Sequence, residues 1–404
     1  MVILENGINR EMNHSLYIHI PFCRHRCHYC DFNTYVGKCD LIPAYIDALI
    51  KELRIVNDIK QGILVHTIYF GGGTPSLIPV ISYRKIMDAI KTNFIITSDC
   101  EISLEANPGT LSFDYLSGLH SLGFNRISIG VQSMDPFDLI RLDRIHTVWD
   151  VLESIYHARL AGFDKINLDL IFGLPWQDLE TWGKTLSRAV ELSPEHFSVY
   201  SLIIEPGTPL FDWYQKGLIK RQDQDLEADM YEMTLGMLND AGFDHYEISN
   251  WAKNGIIRDN RCRHNLQYWL GYPYLGIGAG AHGFSNGYRT INAVKIQDYI
   301  QKLNQNNSPA LPFPSTPSQI AMEKIDLETQ MSDFMMVGLR LVKEGVSEER
   351  FGRLFGKSMS EIFNDEISML IQQGLIEWSI SDENKLHLTK RGIFVANQVF
   401  MAFI

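Results

Sequence analysis

The chain has 404 residues, 45% hydrophobic and 21% charged, an ordinary globular balance with room for one large domain and a smaller one. Its formal charge of −12 argues against a protein that tracks nucleic-acid phosphates. Six cysteines are too sparse for a disulfide scaffold, the opening residues lack the apolar core of a secretory signal, and no apolar run reaches the length of a membrane span, so a soluble cytoplasmic protein is expected.

A short tail, residues 1–14, leads into the strand-like run "SLYIHIPF" (15–22). Similar runs follow at "HTIYFGGG" (66–73), "EISLEANP" (101–108), "RISIGVQ" (126–132), "INLDLIFGLP" (166–175) and "FSVYSLIIEP" (197–206). Each is rich in β-branched or aromatic residues and ends on Gly, Pro or a polar group. Helical patterns lie between them, and "HSLGF" and "RLAGF" place a glycine just past the last apolar residue, a C-cap signature. Six strand–helix units in succession predict an α/β fold with a parallel sheet, curled into a partial (β/α)6, TIM-like barrel. In such a barrel the loops at the C-terminal strand ends build the site. Those ends carry the cysteine loop, "GGGTP", "EANP", "GVQS" and "GLP".

After residue 206 the rhythm breaks. Residues 223–241 read as a long helix and "DHYEISNWA" as a strand, followed by "RCRHNLQYWLGYPYLGIGAGAHGF", dense in Gly, aromatics and His. The Pro- and Asn-containing stretch 304–319 reads as a linker. The barrel is thus expected over 15–290, a connecting segment over 291–320, and a mainly helical, winged-helix-like domain over 321–404. Acidic runs such as "DLETQMSD" and "EGVSEERF" make that last domain a poor DNA reader and suggest a lid, a docking module or a packing cap.

"CRHRCHYC" places Cys23, Cys27 and Cys30 on one loop with no fourth cysteine beside them. A zinc ion could take its fourth ligand from His25 or His28. A [4Fe–4S] cluster could instead hold three iron corners on the thiolates and leave the fourth open to a small molecule. Of the others, Cys39 reads as incidental and Cys100 as packing.

The Cys23-x3-Cys27-x2-Cys30 spacing, with Tyr29 before the last cysteine, and "GGGTP" at 71–75 resemble the signatures of the radical S-adenosylmethionine (SAM) superfamily. "LYIHIPFCRHRCHYCDF", "YFGGGTPS", "EISLEANP", "GFNRISIGVQS", "RLDRIH", "INLDLIFGLP" and "HNLQYW" are similar to the oxygen-independent coproporphyrinogen III oxidase group, most of all to its heme-chaperone branch, HemW. The resemblance implies a radical SAM barrel, a HemN-like C-terminal domain, a [4Fe–4S] cluster on Cys23, Cys27 and Cys30, and SAM chelating the fourth iron. It puts SAM contacts on Tyr17, Gly72, Gly73, Thr74, Glu105, Gln132, Arg144 and Asp169, with Tyr29 beside the cluster. The residue types suit those roles. Glu105 and Asp169 can accept from ribose hydroxyls or the amino group, Arg144 can pair with a carboxylate, and Gln132 can donate and accept.

The resemblance also implies heme as ligand and a heme-acceptor protein as partner, at a membrane or away from one, with no nucleic acid. In "HNLQYW", His264 would ligate heme iron, with Tyr268 and Trp269 against the porphyrin. His282, among small residues that would admit a flat ligand, and Cys262 stay as alternative iron ligands. The oxidase branch carries one more cysteine where this chain has Phe32, and a longer segment before the cluster strand, where about 14 residues stand here. Both departures favour a chaperone over oxidative decarboxylation of two coproporphyrinogen propionates to vinyls, which remains the alternative.

Overall fold

The computed structural model describes residues 13–253, 255, 259–305, 311–379 and 384–404. Residues 1–12 of the expected tail and 306–310 of the expected linker lie outside them. Six strands, His14–Ile20, Leu64–Gly72, Ile95–Ala106, Arg126–Gln132, Ile166–Phe172 and His196–Ser201, run parallel and adjacent in chain order. Helices cross over between them, as strand–helix alternation requires. The two "GF" sites end their helices as expected: Gly123 and Gly162 take positive φ, and Phe124 and Phe163 bond back to Leu119 and Ala158.

Side chains alternate strictly along these strands. Ile127, Ile129 and Val131, Leu168 and Leu170, and Phe197 and Val199 face the helices and are essentially fully buried. Their neighbours Arg126, Ser128, Gly130 and Gln132, Asn167 and Asp169, and His196 and Ser198 line the other face. A filled barrel would carry branched apolar residues there. Polar and small residues leave a lined chamber instead.

The parallel run does not close. Tyr274–Ile277 adds in parallel to the first strand, and His282–Ser285, Tyr288–Asn292 and Gln319–Lys324 extend it antiparallel; Asn250–Lys253 and Phe243–Glu247 extend the sixth. Among the described residues the result is a twelve-stranded open sheet, the partial barrel expected.

Beyond residue 206 the expected long helix is Gln224–Asp240, while "DHYEISNWA" is a hairpin rather than one strand. The segment 291–320 is more than a connection. Its helix Ile296–Asn304 buries Ile296, Tyr299 and Leu303 in the main core, and Gln319–Lys324 belongs to the large sheet. Proline and asparagine mark turns in a chain without excluding packing between the turns. A second core runs from Met331 to Phe403 around a three-stranded antiparallel sheet, Val346–Ser347, Lys385–Leu388 and Ile376–Trp378, the winged-helix-like unit expected. Among the described residues no helix is long and apolar enough to cross a membrane.

Candidate functional site

Tyr17, Cys23, Cys27, Tyr29, Cys30, Gly72, Gly73, Thr74, Glu105, Gln132, Arg144, Asp169 and His264 all line one cavity of about 580 Å3 at the C-terminal strand ends and inside the sheet. The cysteine loop is pinned at both ends, because Phe22–Cys23 pairs with Tyr35–Val36. Thr74 Oγ1 donates to Cys23 Sγ at 3.4 Å and Arg144 Nη1 to Cys27 Sγ at 3.5 Å. Burial, more than the neighbouring thiols, pushes the Cys23 and Cys30 thiols up, so their thiolates call for a cationic partner.

Three thiols on one loop, two of them already receiving hydrogen bonds, could hold three corners of an iron–sulfur cluster. His25 and His28 do not turn toward the thiols. Both clasp Asp143 Oδ2, at 2.5 and 3.1 Å. Among the described residues no group of three His, Cys, Asp or Glu side chains, the three cysteines included, is gathered to hold a metal ion.

The glycine turn is shaped by the chain itself. Gly73 N bonds Ile20 O and Thr74 N bonds Phe22 O, each at 2.8 Å. A Cβ on Gly73 would lie 2.7 Å from Phe22 O, and one on Gly72 (φ +117°) 2.5 Å from the His19 ring. The missing side chains therefore let the turn seat against the cysteine loop, before any ligand is considered.

Arg144 and Thr74 are joined by a residue the sequence did not single out. Asn107 Oδ1 accepts from Arg144 Nη2 at 2.7 Å, and its amide donates to Thr74 Oγ1 at 2.9 Å. A hydrogen-bonded arch thus runs from Cys27 through Arg144, Asn107 and Thr74 to Cys23. Its signal was the asparagine of "EANP", a polar residue just past a strand end. Arg144 Nε keeps no partner, a donor left for a ligand acceptor.

Deeper in, Glu105 accepts from Gly72 N at 3.0 Å and Tyr69 OH at 2.8 Å, and Asp169 from Ser128 Oγ at 2.9 Å and Asn167 Nδ2 at 2.7 Å. Burial pushes Glu105 up to about 7 and Asp169 to about 6. His19 Nε2 bonds Asn33 O at 2.9 Å, which makes Nδ1 the acceptor for Tyr17 OH at 3.0 Å. Gln132 sits at φ +68° where the strand register slips, a bulge that re-aims its side chain. Tyr69 stacks on Tyr17 (6.3 Å) and on His264 (4.9 Å), and Tyr17 also lies 6.4 Å from His264, an aromatic wall of three mutually packed rings.

Residues 17–189 match the radical SAM superfamily model, and 325–395 the HemN C-terminal domain. The heme chaperone HemW of Bacillus subtilis strain 168 is 39% identical over 96% of this chain and 99% of its own. This chain belongs to the HemW family of radical SAM proteins. HemW of Lactococcus lactis is 35% identical over 96% and 97% of the two chains, and the mouse mitochondrial radical S-adenosyl methionine domain-containing protein 1 is 32% identical over 96% and 87%. The structure of coproporphyrinogen III oxidase (HemN) from Escherichia coli covers 97% of the chain, and the chain 90% of it, with TM-score 0.81 and 24% identity; the fold is shared.

In this HemW-family chain the "HNLQYW" segment is the helix Arg263–Trp269, and it presents two faces. His264 faces the cavity but is 1% exposed, with Nδ1 2.9 Å from Thr67 Oγ1 and Nε2 2.9 Å from the hydroxyl of Tyr268, one turn on. Burial holds its pKa down at about 3, so the ring is neutral. Trp269 turns away from the cavity, its ring 4.3 Å from the Arg340 guanidinium of the C-terminal unit. It packs on that unit, not on a ligand in the chamber. Cys262 lines the cavity floor, its thiol pushed up to about 12 by burial and 3.7 Å from Glu101. His282 is exposed on its strand and outside the cavity lining.

The small residues near His282 serve the protein's own packing. A Cβ on Gly278 would lie 2.5 Å from Tyr45 OH, and one on Gly280 2.4 Å from Asn33 Nδ2. That backbone is pressed against helix Ile42–Ile59 and the cysteine loop, which takes up the space expected for a flat ligand.

Proposed function

We propose that this HemW-family protein binds heme and passes it to an acceptor protein, carrying a [4Fe–4S] cluster on Cys23, Cys27 and Cys30 with SAM as an exchangeable ligand. The observation that carries the reading is the end-to-end likeness to heme chaperones, at 39% identity over 96% of the chain. The arch through Arg144, Asn107 and Thr74 supports it, since it places donors on two thiols. When bound, the cluster supplies an open iron corner and a one-electron reservoir. The residues proposed for SAM are Tyr17, Gly72, Gly73, Thr74, Glu105, Gln132, Arg144 and Asp169. Arg144 offers its free Nε to a carboxylate, and Glu105 and Asp169 offer acceptors to hydroxyls. Six free cysteines suit a reducing compartment such as the cytoplasm. Of the candidate iron ligands, His264 and Cys262 stand inside the packed cavity and His282 outside its lining; Nε2 of His264 must leave Tyr268 OH before it can bind iron.

The test is anaerobic. The protein is reconstituted with iron and sulfide, titrated with heme, offered a heme-free globin, and assayed with SAM and reductant for protoporphyrinogen. Stoichiometric heme binding, transfer to the globin and no turnover are expected. Catalytic decarboxylation of coproporphyrinogen III would replace the carrier reading with the dehydrogenase one.

Burial of the two carboxylates sets a pH dependence. The ionised forms accept hydroxyl hydrogen bonds and offset the sulfonium charge of SAM. SAM affinity is therefore full above about pH 7 and falls as pH drops through 7 and then 6, by up to about tenfold per pH unit for each group protonated. Calorimetric titrations across that range check it, and a flat profile would contradict both contacts. The ligand-free chain has the opposite sign. Folding raises both groups above their ordinary 4.5 and 3.8, so their contribution to stability is full below those values and is lost as pH rises through 6 and 7.

A further inference from the structure

Three large apolar side chains line the cavity yet stand in water: Phe32 is 62% exposed, Ile203 67% and Tyr200 43%. A lining residue with that exposure stands at the opening. Phe32 projects from the cysteine loop, two residues past Cys30. Tyr200 and Ile203 project from the sixth strand and the turn after it. Tyr200 has accessible surface, yet burial raises its hydroxyl pKa; both fit a ring inside a concave mouth.

The two sides of this mouth are held together. Leu202, between Tyr200 and Ile203, packs with Tyr29 of the cysteine loop on the small core of Leu142, Ile171 and Leu174. Leu202 N bonds Phe172 O at 2.9 Å, and Leu210 N bonds His28 O at 3.0 Å. The apolar ledge is therefore built on fixed backbone. Behind it the chamber is polar, with Glu105, Asp169, Asn167 and Ser198 in its walls. A rigid polar chamber with an apolar rim matches two ligands of different chemistry: a small, charged, hydroxyl-bearing one inside and a broad apolar one across the opening.

The chain's own packing keeps the broad ligand out of the interior. His264 is 1% exposed with both ring nitrogens bonded, and the aromatic wall of Tyr17, Tyr69 and Tyr268 surrounds it. A macrocycle reaching it would have to unpack that wall.

We propose that heme lies flat across the mouth, its ring on Phe32, Tyr200 and Ile203, and closes the SAM chamber behind it. This rests on the heme-binding function proposed above and adds where the ring sits and what it controls. SAM exchanges while the mouth is open and is retained while heme covers it.

The experiment uses the full chain, reconstituted anaerobically. Heme affinity, SAM affinity and the SAM release rate are measured for the native protein and for Phe32→Ser/Ile203→Ser. We expect the double variant to keep its cluster absorbance and SAM affinity and to lose about tenfold or more in heme affinity, because it removes two apolar contacts from the ring. Heme should slow SAM release severalfold in the native protein and leave it unchanged in the variant. Undiminished heme affinity in the variant, or SAM release from the native protein at one rate with and without heme, overturns the proposal. A fall in SAM affinity in the variant reassigns the ledge to SAM and also overturns it. A native protein that binds no heme at all fails the function itself, which separates the two outcomes.

Discussion

Exchanging Cys27 for serine is expected to remove the proposed iron–sulfur chromophore from the anaerobically reconstituted protein, and SAM binding with it. Cys27 is the middle thiol of the loop and the one that receives Arg144 Nη1. Among the described residues no other cysteine is placed to replace it. Cys100 and Cys262 are 7% and 4% exposed on other elements, their thiols pushed up to about 12 by burial, and a thiol that stays protonated is a poor iron ligand. Exposed Cys39 lies beyond the strand pair that closes the loop. Cys39→Ser should therefore retain full iron and sulfide content, while Cys27→Ser falls to background. Normal cluster absorbance in Cys27→Ser would overturn the assignment of the three thiols. Visible spectra with iron and acid-labile sulfide assays read the result directly.

Replacing Glu52 by alanine destabilises the chain by on the order of 4 kcal/mol, since each buried donor left without a partner costs about 1–3 kcal/mol. Glu52 is 0% exposed on helix Ile42–Ile59. Its carboxylate accepts from Gly278 N (3.0 Å), Asn292 Nδ2 (3.0 Å), Tyr299 OH (2.6 Å), Thr316 Oγ1 (3.0 Å) and Ser318 Oγ (2.5 Å). Burial raises its pKa, and these hydrogen bonds offset part of that rise. Alanine leaves Gly278 N and Tyr299 OH without their acceptor, whereas Asn292, Thr316 and Ser318 keep other partners. The damage reaches the site, because Gly278–Gly280 backs the cysteine loop through Asn33, whose amide bonds Ala279 O and Val294 O at 3.1 Å. Glu52→Gln keeps the volume and one carbonyl acceptor and should cost less. Urea unfolding of both variants tests the ranking, and a loss under about 1 kcal/mol for alanine would contradict the role.

Much of the site was legible because its signals are local. The cysteine spacing, the glycine turn and the polar strand ends each lie within a few residues, and strand alternation assigns faces by parity alone. Thus Ser128 and Asp169 face the chamber while Ile127 and Leu168 face helices, as a period of two demands. Other features join residues far apart in the chain. Asn107 bridges Thr74 and Arg144 only once sheet register brings the second, third and fourth strand ends together. Glu52 in a helix pattern reads as a solvated charge until Gly278, Asn292, Tyr299, Thr316 and Ser318 close over it.

The sequence by itself determined the order of strands and helices, the parallel α/β architecture, the three-thiol loop and the HemW-like set of residues around it. Each of these follows from spacing along the chain or from local backbone preference. Only the tertiary structure decided that Trp269 belongs to the C-terminal unit, that His25 and His28 meet on Asp143, that "GAGAHG" is a packing surface, and that residues 319–324 join the large sheet. Those outcomes depend on which surfaces meet across long loops, and burial energy selects among such meetings only when the whole chain is assembled.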